Sequence, residues 1–212
     1  MYKRQDANGE FVVNSAGVYV VAEQDENGDV PIIGDAVPDY TMNFINSLNY
    51  KNFSFGFQIS HTKGGDILSS TVATLLGRGL IVETEDRLAT FILPGVTAEG
   101  APNTTQLNNS TFFFNNLLFG PTETRIYDAS VLRLQEVSLS YSLPSRILDK
   151  TPFGNVSISL QGFNLWFDAY NTPDGANFDP NVQGVGIGNG RGFDFLNGPS
   201  SRRYGFSVKT TF

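Results

Sequence analysis

From Arg202 to Phe212 the sequence alternates without a slip: Tyr204, Phe206, Val208, Thr210 and Phe212 fall on one side, and Arg203, Gly205, Ser207, Lys209 and Thr211 on the other. Successive side chains of a strand point to opposite faces, whereas a buried helix needs apolar residues three and four apart. Four more segments keep the same period. Tyr40, Met42, Phe44, Leu48 and Tyr50 share a side that only Asn46 interrupts, and Phe53, Phe55, Phe57 and Ile59 oppose Ser54, Gly56, Gln58 and Ser60. Val137, Leu139 and Tyr141 oppose Ser138, Ser140 and Ser142, while Val156, Ile158 and Leu160 oppose Ser157, Ser159 and Gln161. The expected class is all-β.

What the strands face follows from composition. Aromatic residues make up 13% of the 212 residues, Phe alone numbering 18, while charged residues are only 17%, below the roughly 25% usual in soluble domains. A soluble sheet turns Lys, Glu and Thr toward water; here the polar side is Ser, Gly, Gln, Asn and Thr, as in the crowded lumen of a membrane barrel. No apolar run approaches the roughly 18 residues of a transmembrane helix, so any membrane crossing must be made by strands. Short and long connections alternate: a tight turn at Lys51 and Asn52, an excursion from about Thr62 to Asp128, a medium turn from Leu143 to Asn155, and a second excursion from about Asp168 to Ser201. That order places both long connections at one end of an antiparallel sheet, the habit of outer-membrane barrels.

Five strands cannot close such a barrel, since the smallest have about eight, and open edges in lipid leave backbone groups unpaired. The chain is therefore expected to belong to a larger antiparallel sheet. Phe53, Phe55, Phe57, Val137, Leu139, Tyr141, Tyr204, Phe206 and Val208 are the expected lipid-facing or girdle residues, and Ser138, Ser140, Ser157, Ser159, Gln161, Ser207 and Lys209 the lumen-facing ones. A rival architecture is a secreted or surface β-sandwich that binds glycans through loop aromatics; a further one is a carbohydrate-active enzyme that uses loop acids.

Charge and motifs exclude several functions. A net charge of -7 argues against a phosphate backbone as partner, so nucleic acid is not expected. Without cysteine there is neither a disulfide framework nor a thiolate metal site. Met1 is followed by Tyr-Lys-Arg-Gln-Asp, not by a leader's apolar stretch, so the chain is expected to stay inside the cell or to be a piece of a longer one. Gly184, Gly186, Gly188, Gly190 and Gly192 imitate a phosphate-binding fingerprint but lack the flanking strand and helix, so they read as a loop able to fold against a ligand or lid. Asp25, Asn27 and Asp29 begin like a calcium loop, yet Val30 and Ala36 stand where glycine and glutamate are required; Asn27-Gly28 and Asn8-Gly9 fit turns better. His61 is the one histidine and has no partners for a metal cluster or a triad.

Glu83, Glu85, Asp86, Asp174, Asp179 and Asp194 could supply a carboxylate pair, but they fall in loops and none is assigned a catalytic role. No cofactor or metal is expected. Trp166, Tyr170 and Phe178, close to Asn164, Asn171 and Asn177, are possible ligand contacts or else girdle and loop packing. Asp66 to Leu80 reads as one or two helical turns, with Ile67, Leu68, Val72, Leu75 and Leu76 forming a core beneath the long loop.

Several longer motifs resemble one family. In order they are Ile33-Gly34-Asp35-Ala36-Val37-Pro38-Asp39-Tyr40, then Tyr50-Lys51-Asn52-Phe53, Gly64-Gly65-Asp66 and Leu93-Pro94-Gly95-Val96. The most specific is the unbroken run from Asp128 to Pro144, followed by Gly162-Phe163-Asn164-Leu165-Trp166, Phe178-Asp179-Pro180 and the final strand. Together they resemble the C-terminal part of a SusC/RagA-type TonB-dependent outer-membrane receptor over nearly the whole chain. Ala36-Val37 departs from the Pro-Asn more usual in the family, which is expected only to reshape a loop.

The resemblance implies a 22-stranded barrel in the outer membrane of a Gram-negative bacterium, with residues 1–212 as a C-terminal fragment of the barrel domain, without plug or signal peptide. It implies no enzymatic activity. It also implies uptake of oligosaccharides or peptides beneath a SusD-like surface lipoprotein, energised by TonB through a part of the receptor that precedes this chain. Phe212 would then serve as an assembly signal for the barrel-assembly machinery.

Overall fold

The computed structural model describes residues 1–25, 27–182 and 190–212. Five long strands carry the period-two segments: β1 (Tyr40–Tyr50), β2 (Phe53–Lys63), β3 (Val131–Ser142), β4 (Asn155–Asp168) and β5 (Arg203–Thr211). They lie side by side in chain order, each antiparallel to the next. With 9 to 14 residues each, they match or exceed the roughly 9–11 residues that a tilted strand needs to cross a bilayer. β1 and β5 are the margins, and among the described residues neither has a further strand on its outer side.

The short connections lie at one end of this wall. Lys51, with φ 52°, and Asn52 form the two-residue turn that pairs Tyr50 with Phe53. Asn52 fastens the turn to β3, its side-chain amide donating to the Ser142 carbonyl at 2.8 Å while the Ser142 N–H donates to the Asn52 carbonyl at 2.9 Å. β3 returns to β4 through a short helical turn at Ser145–Leu148. At the opposite end, residues 64–130, 169–182 and 190–202 leave the wall and build a platform with its own core. The expected alternation of short and long connections holds.

The platform core contains Ile67, Val72, Leu76, Phe113 and Phe178, and a neighbouring cluster contains Val13, Leu93 and Leu107. The segment expected to coil does so after a short strand: Asp66–Ser69 is extended, and helix α1 follows at Ser70–Gly77. Ile67, Val72 and Leu76 are buried, whereas Leu68 and Leu75 are only partly covered. Ser69 caps α1, its hydroxyl oxygen accepting from the Val72 N–H at 3.1 Å. Asp66–Ser69 pairs with Ile126–Asp128 on one side and, in parallel, with Phe193–Asp194 on the other. Asn116 ties in the N-terminal segment, accepting from the Tyr19 N–H and donating to the Phe112 carbonyl.

A β-sandwich would press a second sheet onto the apolar face of the first. Here that face is bare, with Leu160 56% and Phe206 68% exposed, so the sandwich expectation does not hold. No described helix is long and apolar enough to cross a membrane.

Candidate functional site

The register aligns the apolar positions into rows that run across all five strands. One row is Leu48, Phe55, Leu139, Leu160 and Phe206; the row nearer the short turns is Tyr50, Phe53, Tyr141, Ile158 and Val208. A third row contains Asn46, Phe57, Val137, Gly162 and Tyr204. All nine residues expected to meet lipid therefore share one face. Rings reinforce one another across strands, Phe53 and Tyr141 having centroids 4.6 Å apart and Phe44 and Phe57 5.9 Å apart. At the short-turn end, Phe212 extends past the last pair of β5 and meets Phe153, centroid to centroid, at 5.3 Å.

The opposite face is short and polar. Asn49, Ser54, Ser140, Ser159 and Ser207 form one row, and Ser47, Gly56, Ser138, Gln161 and Gly205 the next. Ser140 and Ser159 hydroxyls lie 2.8 Å apart, and Gln58 donates to both Asn43 and Gln135. Gly56 is there for space: a Cβ would stand 2.8 Å from the Ser138 hydroxyl. Such a surface offers many exchangeable hydrogen bonds and little charge, which suits a wet lumen.

Near the platform the phase of the strands is reset. Gln58 pairs with Glu136, but Ile59 pairs with Leu134, so Gln135 is an extra residue in β3. Beyond it Leu134 and Leu132 turn to the apolar face and Arg133 to the polar one, opposite to what the alternation at Val137 to Tyr141 would give. β4 answers with a shift of its own between Phe163 and Trp166, where Asn164 adopts φ 53°. The sequence carries the signal for the first bulge: Leu132-Arg133-Leu134 alternates out of step with Val137-Ser138-Leu139, and two polar residues in succession, Gln135-Glu136, mark the slip.

The reset delivers Arg133 to a carboxylate. Its guanidinium donates to Asp179 with both Nη atoms, at 2.5 and 3.0 Å, and also to the Asn164 side-chain oxygen, while its plane lies over the Phe167 ring. Arg133 is 6% and Asp179 4% exposed, making this a buried two-pronged ion pair that fastens the second long loop to the wall. Burial alone would raise the Asp179 carboxyl. Hydrogen bonds from Arg133, Ser200 and the Asn181 N–H outweigh it and hold the carboxyl below its ordinary value.

The other expected site residues are dispersed. Trp166 pairs with Leu134 and joins Phe44 and Ile59 in a row of the apolar face. Phe178 is buried in the platform core. Tyr170, 43% exposed, stands at the rim, its hydroxyl 3.0 Å from His61 Nε2 and its ring under Lys63. Asp194 is fully buried and accepts from the Ser69 hydroxyl at 2.7 Å, the Thr71 N–H at 3.0 Å and the Asn197 N–H at 3.2 Å; it is a structural anchor for α1. Glu83 accepts from the Gly175 N–H, and Asp86 from the Leu88 N–H.

Asp25 closes its own turn, accepting from the Asn27 and Asp29 N–H groups, and Gly28 takes φ 85°, as the turn reading requires. Asp6 does the same at Asn8-Gly9. Among the described residues no carboxylate or histidine cluster could hold a metal. Gly184, Gly186 and Gly188 lie outside the described residues; Gly192 lies within them at φ 84°, where a Cβ would fall 2.5 Å from that of Ala36.

A two-faced meander with its short turns at one end and a loop platform at the other defines a segment of a β-barrel wall. No family model matches the chain. TonB-dependent receptor P3 of Formosa agariphila is 32% identical over 154 residues, which cover 70% of this chain and 14% of that protein. TonB-dependent receptor P26 of the same organism is 27% identical over 207 residues, covering 89% of this chain and 19% of the relative. The chain thus spans less than a fifth of either relative.

Solved structures of the RagAB peptide importer share the fold. The closed-closed state matches 99% of this chain with a TM-score of 0.56 at 19% identity, and the open-open state matches 100% with a TM-score of 0.55 at 16% identity, each over 20% of the importer chain. The chain belongs with the SusC/RagA-type TonB-dependent receptors, as a fragment of one. TonB-dependent receptors are outer-membrane proteins, and these relatives are named as receptors and importers, not as enzymes.

Proposed function

We propose that this chain supplies C-terminal wall strands and external loops to an outer-membrane importer that takes up oligosaccharides or peptides, driven by TonB. The observation that carries the reading is the pair of unlike faces: rows of rings and aliphatic groups on one side, hydroxyls and amides on the other, in register over five strands. The apolar face meets hydrocarbon and the polar face lines the lumen. β1 and β5 are completed by further strands of the same receptor, since unpaired backbone in lipid costs several kcal/mol per group. A SusD-like surface lipoprotein sits over the platform as a lid, and TonB engages a part of the receptor outside this chain. In cells that carry the full receptor, cargo uptake is expected to stop when TonB is deleted. Uptake of labelled oligosaccharide or peptide at an undiminished rate in that strain would overturn the reading.

Phe212 acts in assembly. Phe212 is 87% exposed at the short-turn end, and among the described residues its ring contact is with Phe153, so packing within the wall accounts for little of it. Removing Phe212 from the full receptor is expected to lower the amount of folded barrel in the outer membrane several-fold, measured by heat-modifiable mobility on gels. An unchanged yield would remove the assembly role.

A further inference from the structure

One cleft on the platform has a chemistry unlike the rest of the polar side. It encloses about 330 Å³ and is walled mainly by Ile32, Ile33, Leu68, Ile126 and Phe193, with Arg191, Thr122 and Asp66 also lining it; the Asp66 carboxylate already accepts from the Asp35 N–H at 2.9 Å. Ile32 is 94% exposed in this segment of the receptor. Arg191 has no carboxylate partner among the described residues.

The cleft is rigidly framed. Phe193 is carried on the short strand that pairs in parallel with Asp66–Ser69, and the next residue is the buried Asp194, locked to Ser69 and Thr71. The Leu68 N–H donates to the Gly192 carbonyl at 2.8 Å, and both residues line the cleft. The cleft is also continuous with the lumen side of the wall: a smaller hollow that shares Ala36, Asp66, Arg191 and Gly192 with it reaches Thr62, which lies on the polar face with Ser60, and the Pro180-Asn181 turn.

Resting on the importer reading, we infer that this cleft is a cargo subsite for the C-terminal end of a peptide, taking an aliphatic side chain into the apolar hollow while Arg191 meets the terminal carboxylate. A cleft of this size and mainly apolar lining holds a branched aliphatic group, with few polar side chains to meet the hydroxyls of a sugar. A guanidinium at the edge recognises a carboxylate with two parallel hydrogen bonds.

Calorimetry on the purified full receptor, with the tripeptides Gly-Gly-Leu, Gly-Gly-Gly and Gly-Gly-Leu amide, tests the assignment. Gly-Gly-Leu is expected to bind about tenfold or more tighter than Gly-Gly-Gly, the worth of burying one leucine side chain, and tighter than its own amide. Ile32→Asp, at an exposed position, should abolish the leucine preference while Ile32→Leu retains it. Arg191→Gln should equalise the acid and the amide. Equal binding of the leucine and glycine peptides, or a leucine preference that survives Ile32→Asp, would overturn the inference. So would octanoate binding without tripeptide binding, which would assign the cleft to free fatty acids. These equilibrium measurements need no TonB, so they fail independently of the uptake test.

Discussion

Replacing Arg133 by alanine in the full receptor is expected to free the second long loop from the wall and to cost roughly 3–5 kcal/mol, because the change leaves a buried carboxylate without its partner. Asp179 is 4% exposed and its remaining donors, Ser200 and the Asn181 N–H, cannot replace a guanidinium. Limited proteolysis should then cleave within residues 169–202 at a protease concentration that leaves the parent intact. Removing both charges, as in Arg133→Leu with Asp179→Leu, should cost less than the single change, since a pair deleted together strands no charge. A double variant as fragile as the single one would mean that the guanidinium acts chiefly through Asn164 and Phe167. Acid should act on the same joint. The folded Asp179 carboxyl lies below its ordinary 3.8, so the pair's contribution is complete above that pH and is lost as pH falls through the lower folded value. Loop release measured against pH should therefore begin only below about pH 4.

The second large effect separates the two faces with adjacent residues. Leu160→Arg is expected to cut the yield of folded receptor in the membrane sharply, a lipid-facing arginine near mid-bilayer costing about 2–4 kcal/mol. Gln161→Arg, one position along the same strand, should be tolerated, because its side chain lies on the polar face beside Gly205, where a substituent has room. Equal yields of the two variants, judged by heat-modifiable gel mobility, would contradict the assignment of faces.

The wall was legible in the sequence because its rule is local. Alternation at Phe53 to Ile59 or Tyr204 to Phe212 needs no knowledge of distant residues, and pairing with a neighbour of the same pattern preserves it. The bulge at Gln135 was not anticipated from the alternation at Val137 to Tyr141, although its break of phase was visible. The shift in β4 was not, since the step from Phe163 to Trp166 spans three residues and leaves odd and even positions on their original faces. The contacts that define the platform were hidden for another reason. Arg133 and Asp179 are 46 positions apart, and Ser69 and Asp194 are 125 apart, so nothing in either neighbourhood announces the other. Asp194 illustrates the limit: an acid in an apparent loop is ordinarily solvated, yet this one is sealed beneath α1 by three hydrogen bonds that only the tertiary fold brings together.

The paired bulges have a bearing on how such receptors diversify. Because they sit at the boundary between wall and platform, everything above them can change length or composition without shifting the inside-outside order of the strands below. The segment between Gln58 and Glu136 and the segment between Phe163 and Arg203 are therefore expected to behave as interchangeable cassettes on a fixed frame, and grafts made at those seams should leave membrane insertion untouched.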